Sequence, residues 1–244
     1  MKHDHSWFKV WFDSPYYHLL YQNRDFLEAS RFLKNLMGEL KLPKGSHVLD
    51  MGCGKGRHCI QLHEMGFDVV GMDLSAANIK SAKQHENEHL AFIQRDMREP
   101  LQNQQFDLVL NLFTSFGYFD DISANQQVLE SAASMLRHQG LFVLDFLNAE
   151  KVVRELTPAE TREVDGTRFD ISRNLINGII VKTIEVNQNP ELQFEERVQA
   201  LGKKELFTIF HNAGLEPQSS YGSYDFQPFD AATSDRLIII ASKK

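Results

Sequence analysis

The stretch Val48-Leu49-Asp50-Met51-Gly52-Cys53-Gly54-Lys55-Gly56-Arg57 constrains the chain more than any other. An apolar run ends at an acid, three glycines follow at alternate positions, and a helical pattern begins at Arg57. Glycine allows positive φ and close approach of the backbone to a neighbour, at an entropic cost that a ligand would justify. A helix N-terminus favours an anionic group. Asp73 stands 21 positions after Gly52, at the end of the next strand-like run. An acid there can accept hydrogen bonds from both hydroxyls of a ribose.

Around this loop the periodicity alternates between strand and helix. His47–Asp50, Asp68–Met72, Leu90–Arg95, Phe106–Asn111 and Leu141–Phe146 read as strands. Arg57–Met65, a segment capped by Ser75 and running to His85, and Ser123–Arg137 read as helices. This order implies βαβ units and a buried parallel sheet. Arg168–Ile176 and Ile179–Val186 flank Asn177-Gly178, a strong hairpin signal. With Leu192–Val198 they predict three antiparallel strands inserted after the fifth parallel one. Lys203–Asn212, stopped by Gly214, reads as a helix, and Leu215–Tyr224 and Arg236–Ser242 as closing strands. Residues Met1–Leu42 are helical and aromatic-rich, with Leu27, Phe32, Leu33 and Leu36 at helical spacing before Pro43-Lys44-Gly45.

The 244 residues, 42% apolar, suffice for one large domain with a sizeable core. The net charge of −7 opposes nonspecific binding to nucleic acid or anionic membrane, which needs clustered Lys and Arg. The two cysteines, Cys53 and Cys59, lie too close in sequence, on one loop–helix segment, to suggest a disulfide, and a reducing compartment is expected. The segment MKHDHSWFKVWFDS lacks the apolar core of a signal peptide, and no apolar run approaches the ~18 residues of a membrane span. A cytoplasmic location is expected.

The dinucleotide fingerprint Gly-x-Gly-x-x-Gly fails here, because Arg57 holds its sixth position and Gly56 comes one residue early. The phosphate-loop pattern fails too, since no Gly-Lys-Ser/Thr occurs. The remaining Asp-x-Gly-x-Gly-x-Gly resembles the first motif of the class I S-adenosylmethionine-dependent methyltransferases. Asp73-Leu74-Ser75 is similar to the second family motif, Asp96-Met97 to the adenine-side acid and amide after strand three, and Asn111-Leu112-Phe113 to the start of the substrate-side motif. Leu136-Arg137-His138-Gln139-Gly140-Leu141 resembles the turn before strand five, without its usual Pro-Gly-Gly.

The resemblance implies an α/β, doubly wound, Rossmann-like seven-stranded sheet. It implies a helical lid over residues 1–42, a cofactor-binding core over 43–149, an antiparallel β insertion over 150–201 and closing elements over 202–244. It implies S-adenosylmethionine as cofactor and S-adenosylhomocysteine as product, with no metal. The implied cofactor-binding residues are Tyr21, Arg24, Asp50, Gly52, Cys53, Gly54, Arg57, His58, Asp73, Leu74, Ser75, Asp96, Met97, Asn111, Leu112 and Phe113.

Cys-Gly-Lys-Gly-Arg-His, the run Asn111–Phe119 and the aromatic N-terminal stretch Trp11–Tyr17 resemble a bacterial subgroup of small-molecule or peptide N-methyltransferases, of the glycine/sarcosine type. Asn111 is not followed by the Pro-Pro-Tyr of DNA and protein-amide enzymes, and with the −7 charge this opposes a nucleic-acid acceptor. Phe116-Gly-Tyr-Phe119 suits an apolar or ammonium-bearing acceptor, since aromatic rings attract such cations. The expected reaction is in-line methyl transfer, to an amine above all, with alignment supplying most of the catalysis. Tyr17, His18 and Tyr118, with Tyr16 and Tyr224 behind them, are the candidate proton acceptors.

Two rival readings exist: a cofactor-binding regulatory module without catalysis, and a zinc hydrolase built on His85-Glu86-Asn87-Glu88-His89. The latter matches His-Glu-x-x-His, but its flanks place it at a helix end before a strand. His3-Asp4-His5 reads as a frayed terminus.

Overall fold

The computed structural model describes residues 7–22, 26–187 and 192–244. Three helices come first: α1 (Trp7–Phe12), α2 (Pro15–Leu20) and α3 (Phe26–Leu40). Ser14 opens α2 by accepting a hydrogen bond from the Tyr16 amide, with Pro15 at the first helical position. The Rossmann-like part follows as β1 (His47–Met51), α4 (Arg57–Glu64), β2 (Asp68–Asp73), α5 (Ala76–Ala82), β3 (Leu90–Gln94), β4 (Phe106–Asn111), α6 (Ile122–Met135) and β5 (Leu136–Leu147). A short helix α7 (Ala149–Arg154) leads to β6 (Ala159–Val164), β7 (Thr167–Ile176), β8 (Ile179–Val186) and β9 (Gln193–Gln199). The chain closes with α8 (Lys203–Asn212), β10 (Leu215–Tyr221) and β11 (Arg236–Lys243).

The seven-stranded sheet has the order β10-β11-β5-β4-β1-β2-β3. Its pairs are parallel except those of β11, which runs against both β5 and β10. This is the class I methyltransferase fold. The chain passes from β1 to β2 and β3 on one side, then returns to β4 and β5 on the other. The carboxyl ends of β1 and β4 therefore meet at a switch point, where open α/β sheets bind ligands.

Strand residues alternate between two cores. Leu49, Met51, Val109 and Leu144 pack with α6 and α8, whereas Val48, Leu108, Leu110 and Val143 pack with α3, α4 and α5. Burying one such side chain contributes roughly 1.5–3 kcal/mol, so an alternating strand registers itself.

The second sheet has four antiparallel strands in the order β6-β7-β8-β9, one more than expected. The extra strand β6 is exposed along most of its length and lacks the apolar alternation that betrays its neighbours. The sheet's apolar face carries Phe169 and Ile171 of β7 and Ile184 and Val186 of β8, and this face packs against Trp11 and Leu20 of the N-terminal helices. Several boundaries also shift. Helix α6 ends at Met135, because Leu136 already pairs with Phe106 as the first residue of β5. Strand β10 ends at Tyr221, short of the expected Tyr224. No helix among the described residues is long and apolar enough to cross a membrane.

Candidate functional site

The glycine loop leaves β1 and folds back onto β2. The amides of Gly52 and Cys53 donate to the Met72 carbonyl at 2.8 and 3.0 Å. The Gly54 amide donates to Asp73 Oδ2 at 2.9 Å, and the Ser75 amide to Asp73 Oδ1 at 2.8 Å. One carboxylate thus fastens the loop to the end of β2. Burial raises the Asp73 pKa, while these two amides oppose the rise.

The three glycines exist for different reasons. A Cβ on Gly52 would lie 2.8 Å from Ser115 Cβ, and one on Gly56 would lie 2.5 Å from the Phe92 ring. A Cβ on Gly54 would meet nothing within 4 Å. Gly54 alone opens onto empty space, and the other two serve packing.

Behind the loop, Asp50 is buried beside Cys59, whose thiol donates to Asp50 Oδ2 at 3.5 Å. Burial pushes the Asp50 pKa up to about 7. His58 Nδ1 lies 3.9 Å from the same oxygen. Burial, and then the neighbouring Arg57 cation, push the His58 pKa down to about 3, so His58 is neutral and this contact is no ion pair at neutral pH. Its ring stacks on Phe113, 4.9 Å between centroids, and Arg57 sits 5.1 Å over the other ring's centroid. Both cysteines are buried, and neither is in a disulfide.

The opposite wall follows β4. Phe113 and Thr114 have φ of +55° and +63°, the left-handed region that costs non-glycine residues on the order of 1–3 kcal/mol each. Asp145 holds both: the Phe113 amide donates to its carboxylate at 2.9 Å and the Thr114 amide to its carbonyl at 3.0 Å. Arg236 donates to Asp145 Oδ1 at 2.8 Å and to Thr114 Oγ1 at 2.9 Å, and Tyr224 adds a hydroxyl at 3.1 Å. Asp96, after β3, takes a forked pair of bonds from Arg98 at 3.0 and 2.6 Å. Burial would raise its pKa, but Arg98 outweighs burial and holds the carboxyl below its usual range.

The N-terminal helices complete the enclosure. Phe12 and Trp7 meet Tyr118 at 5.4 and 5.3 Å between centroids, and Phe8 meets Phe119 at 5.9 Å. Asp13 accepts a short hydrogen bond from Ser75 Oγ. Glu196 of β9 accepts bonds from Trp11 Nε1 at 2.7 Å, Tyr21 Oη at 2.6 Å and Lys182 Nζ at 3.2 Å. Arg197 forks onto Asp120 at 3.1 and 3.0 Å, tying β9 to the loop that carries Tyr118 and Phe119.

Together these walls enclose a cavity of about 550 Å³ at the switch point. Of the residues singled out in the sequence, Tyr17, His18, Tyr21, Gly52, Cys53, Gly54, Arg57, His58, Asp73, Leu74, Asp96, Met97, Leu112, Phe113 and Tyr118 line it. Asp50, Ser75 and Asn111 do not line it. Asp50 lies behind the loop, Ser75 caps α5 by accepting from Asn78 at 3.0 Å, and Asn111 donates to the Met51 carbonyl at 3.0 Å. Tyr16 packs toward Phe169 and Phe194, and Tyr224 bonds Asp145; neither is on the cavity wall. Arg24 and His3-Asp4-His5 lie outside the described residues.

The structure adds Phe8, Phe12, Gln22, Lys55, Met72, Asn78, Arg95 and Ser115 to the lining, while of the expected Phe116–Phe119 wall Tyr118 and Phe119 line it and Phe116 is buried in the core. Lys55 sits inside the glycine motif and so carried a signal. Asn78 and Arg95 carried none beyond proximity to a motif.

The His-Glu-x-x-His match is not helical. His85 ends a 3₁₀ turn, Glu86 accepts from the Phe92 amide at 2.8 Å, and His89 contacts Asp68 at 2.9 Å. The two imidazoles are therefore not presented one helical turn apart. Among the described residues no three His, Cys, Asp or Glu side chains gather as metal ligands.

Residues 42–214 match the family described as Methyltransferase domain. The chain belongs to this family. Two curated methyltransferases are similar to it over about half its length. The ubiquinone biosynthesis O-methyltransferase of Bradyrhizobium diazoefficiens is 36% identical over 123 residues, 49% of this chain and 47% of the relative. The glycine/sarcosine N-methyltransferase of Aphanothece halophytica is 29% identical over 137 residues, 54% of this chain and 50% of the relative. The chain thus spans about half the length of the curated relatives it matches. An S-adenosylmethionine-dependent methyltransferase from Clostridium acetobutylicum has the same fold, with a TM-score of 0.80 at 17% identity, covering 93% of this chain and 96% of that one.

Proposed function

We propose that this protein is an S-adenosylmethionine-dependent methyltransferase acting on a small-molecule amine or a peptide amine. The reading rests on one observation above the rest: the open space over Gly54 lies beside the Asp73 carboxylate, in the cavity at the switch point.

The residues present fit the cofactor. About 550 Å³ is within the roughly 300–1,000 Å³ of pockets that bury a ligand of this size. Asp73 spends one bond per oxygen on backbone amides, and a carboxylate oxygen has a second lone pair for a ribose hydroxyl. Leu74 and Met97 supply apolar surface for a flat base, with Asp96 held ionised by Arg98 nearby. Arg57 and Lys55 supply positive charge for a carboxylate tail, beside the N-terminus of α4.

Bound there, the cofactor supplies an electrophilic methyl group on a positively charged sulfur. The chain's own work is alignment and enclosure. Aromatic rings of α1, α2 and the loop after β4 wall off water and tolerate a cationic amine. Positioning a nucleophile in this way can supply roughly 7–11 kcal/mol of barrier reduction. The curated relatives include both an O- and an N-methyltransferase. The amine preference comes from the aromatic enclosure.

Incubation with methyl-labelled S-adenosylmethionine and a panel of amines, amino acids and peptide N-termini tests this reading. Label in an amine product supports it. Cofactor binding with no product from the whole panel overturns the catalytic reading and leaves a binding module. Label only in hydroxyl acceptors overturns the amine preference.

A further inference from the structure

We propose that His18 is a catalytic residue that removes the proton from an amine acceptor so that its nitrogen can take the methyl group. The proposal rests on the methyltransferase reading above and assigns a role within the same cavity.

An amine is an ammonium at neutral pH and has no lone pair to offer. An amine seated deep against the aromatic wall is helped by a group beside it that accepts this proton, and among the described residues the wall offers few able to do so. Asp73 already holds the Gly54 and Ser75 amides, and Asp96 is held in the fork of Arg98. Lys55, Arg57 and Arg95 are cations. His58 is turned from the role by burial and by Arg57, whose guanidinium lies 3.3 Å from Nε2. The Tyr21 hydroxyl donates to Glu196. Tyr17 and Tyr118 are phenols, whose ordinary pKa of about 10 makes them poor proton acceptors while neutral.

His18 differs from each of these. It sits on α2 and lines the cavity, against the edge of the Tyr17 ring at 5.4 Å. No described residue hydrogen-bonds its ring. The charged groups acting on it are Lys55 of the glycine loop and Asp13 at the start of α2. Burial first, then Lys55, lower its pKa, with Asp13 opposing them, so the ring rests neutral and able to accept. Lys55 likewise repels an ammonium brought beside His18, which offsets the attraction of the aromatic rings and narrows the gap the proton must cross.

In the step, the acceptor's N–H bond breaks and its electron pair stays on nitrogen as the lone pair. The proton bonds to an imidazole nitrogen of His18. It returns to water when product leaves.

Benzylamine and N-methylbenzylamine serve as probes, with the full chain at saturating S-adenosylmethionine. Release of S-adenosylhomocysteine is followed from mildly acidic pH to above the probes' own pKa. His18→Ala and His18→Gln are expected to lose roughly 10²-fold in kcat at neutral pH, the usual contribution of a general base. The loss should fade where the amine is already deprotonated, and added imidazole should restore part of the His18→Ala rate. Binding of S-adenosylhomocysteine should be unchanged in both variants. A pH-independent loss without imidazole rescue, or no loss, overturns the proposal. So does absence of transfer to either amine by the unaltered protein while S-adenosylmethionine still binds, which leaves the cofactor reading standing. Absence of cofactor binding overturns both.

Discussion

The amide of Phe113 donates to the carboxylate of Asp145 across 2.9 Å, and this bond holds a phenylalanine in the left-handed region at the cavity wall. The same carboxylate carries Arg236 and Tyr224, so one buried acid fixes the loop after β4 and the start of β11. Asp145→Ala takes the carboxylate away from the Arg236 guanidinium, whose side chain is only 20% exposed, and leaves it the Thr114 hydroxyl. Removing one member of a buried pair costs about 3–5 kcal/mol, and urea unfolding should read a loss of that order. A loss no larger than that of a surface substitution would show that the loop holds itself.

Gly54 and Gly56 should respond in opposite ways to alanine. Gly56→Ala forces a methyl onto Phe92 at a φ of +81°, and should lower the melting temperature sharply. Gly54→Ala meets open space, so only backbone strain of roughly 1 kcal/mol opposes it. It should fold, melt close to the parent and bind S-adenosylhomocysteine poorly. Differential scanning calorimetry and a binding titration separate the two effects. Unimpaired binding by Gly54→Ala would mean that the ligand does not approach this loop.

Glu196 gathers Trp11, Tyr21 and Lys182, and so joins the N-terminal helices to the second sheet. Glu196→Ala takes the carboxylate from the largely buried Lys182, leaving it the Tyr21 hydroxyl, and releases the indole. Hydrogen bonds to charged groups contribute about 1.5–3 kcal/mol, and a destabilisation of that size is expected. Trp11 is wholly buried, so its fluorescence should shift to the red. An unshifted emission maximum would show that packing alone seats the helix.

Asp50 and His58 give opposite pH signatures. Asp50 titrates near 3.8 when unfolded and about 7 when folded, so its neutral form favours folding and that contribution is lost as pH rises through this window. The difference corresponds to about 4 kcal/mol between the two ends. His58 titrates near 6.5 unfolded and about 3 folded, so it makes stability rise with pH over that range. Asp50→Asn removes the first effect and leaves the second. Its melting temperature should climb more steeply with pH than the parent's, and exceed it above pH 7. Parallel curves would show that Asp50 stays ionised in the fold.

The glycine-loop side of the cavity was legible because its residues follow one another at strand ends. Gly52, Gly54, Asp73 and Phe113 carry local signals, and the fold needs only the strand–helix alternation to bring them together. Asp145 and Arg236 were not legible. They lie 91 positions apart and meet only because β11 pairs with β5. The Glu196 cluster spans 185 positions from Trp11, and β6 has too few buried positions to betray a strand. The lining from Phe8 and Phe12 depends on how α1 seats against the second sheet, which local periodicity does not encode.

Asp73 and the open face of Gly54 are the proposed cofactor site. Calorimetric titration with S-adenosylhomocysteine of the parent protein and of Asp73→Ala tests it most directly. The account predicts saturable 1:1 binding by the parent at sub-millimolar concentration. It predicts roughly 10- to 100-fold weaker binding by Asp73→Ala, as expected for losing hydrogen bonds to a charged group. No binding by the parent, or equal affinity in both proteins, would contradict it.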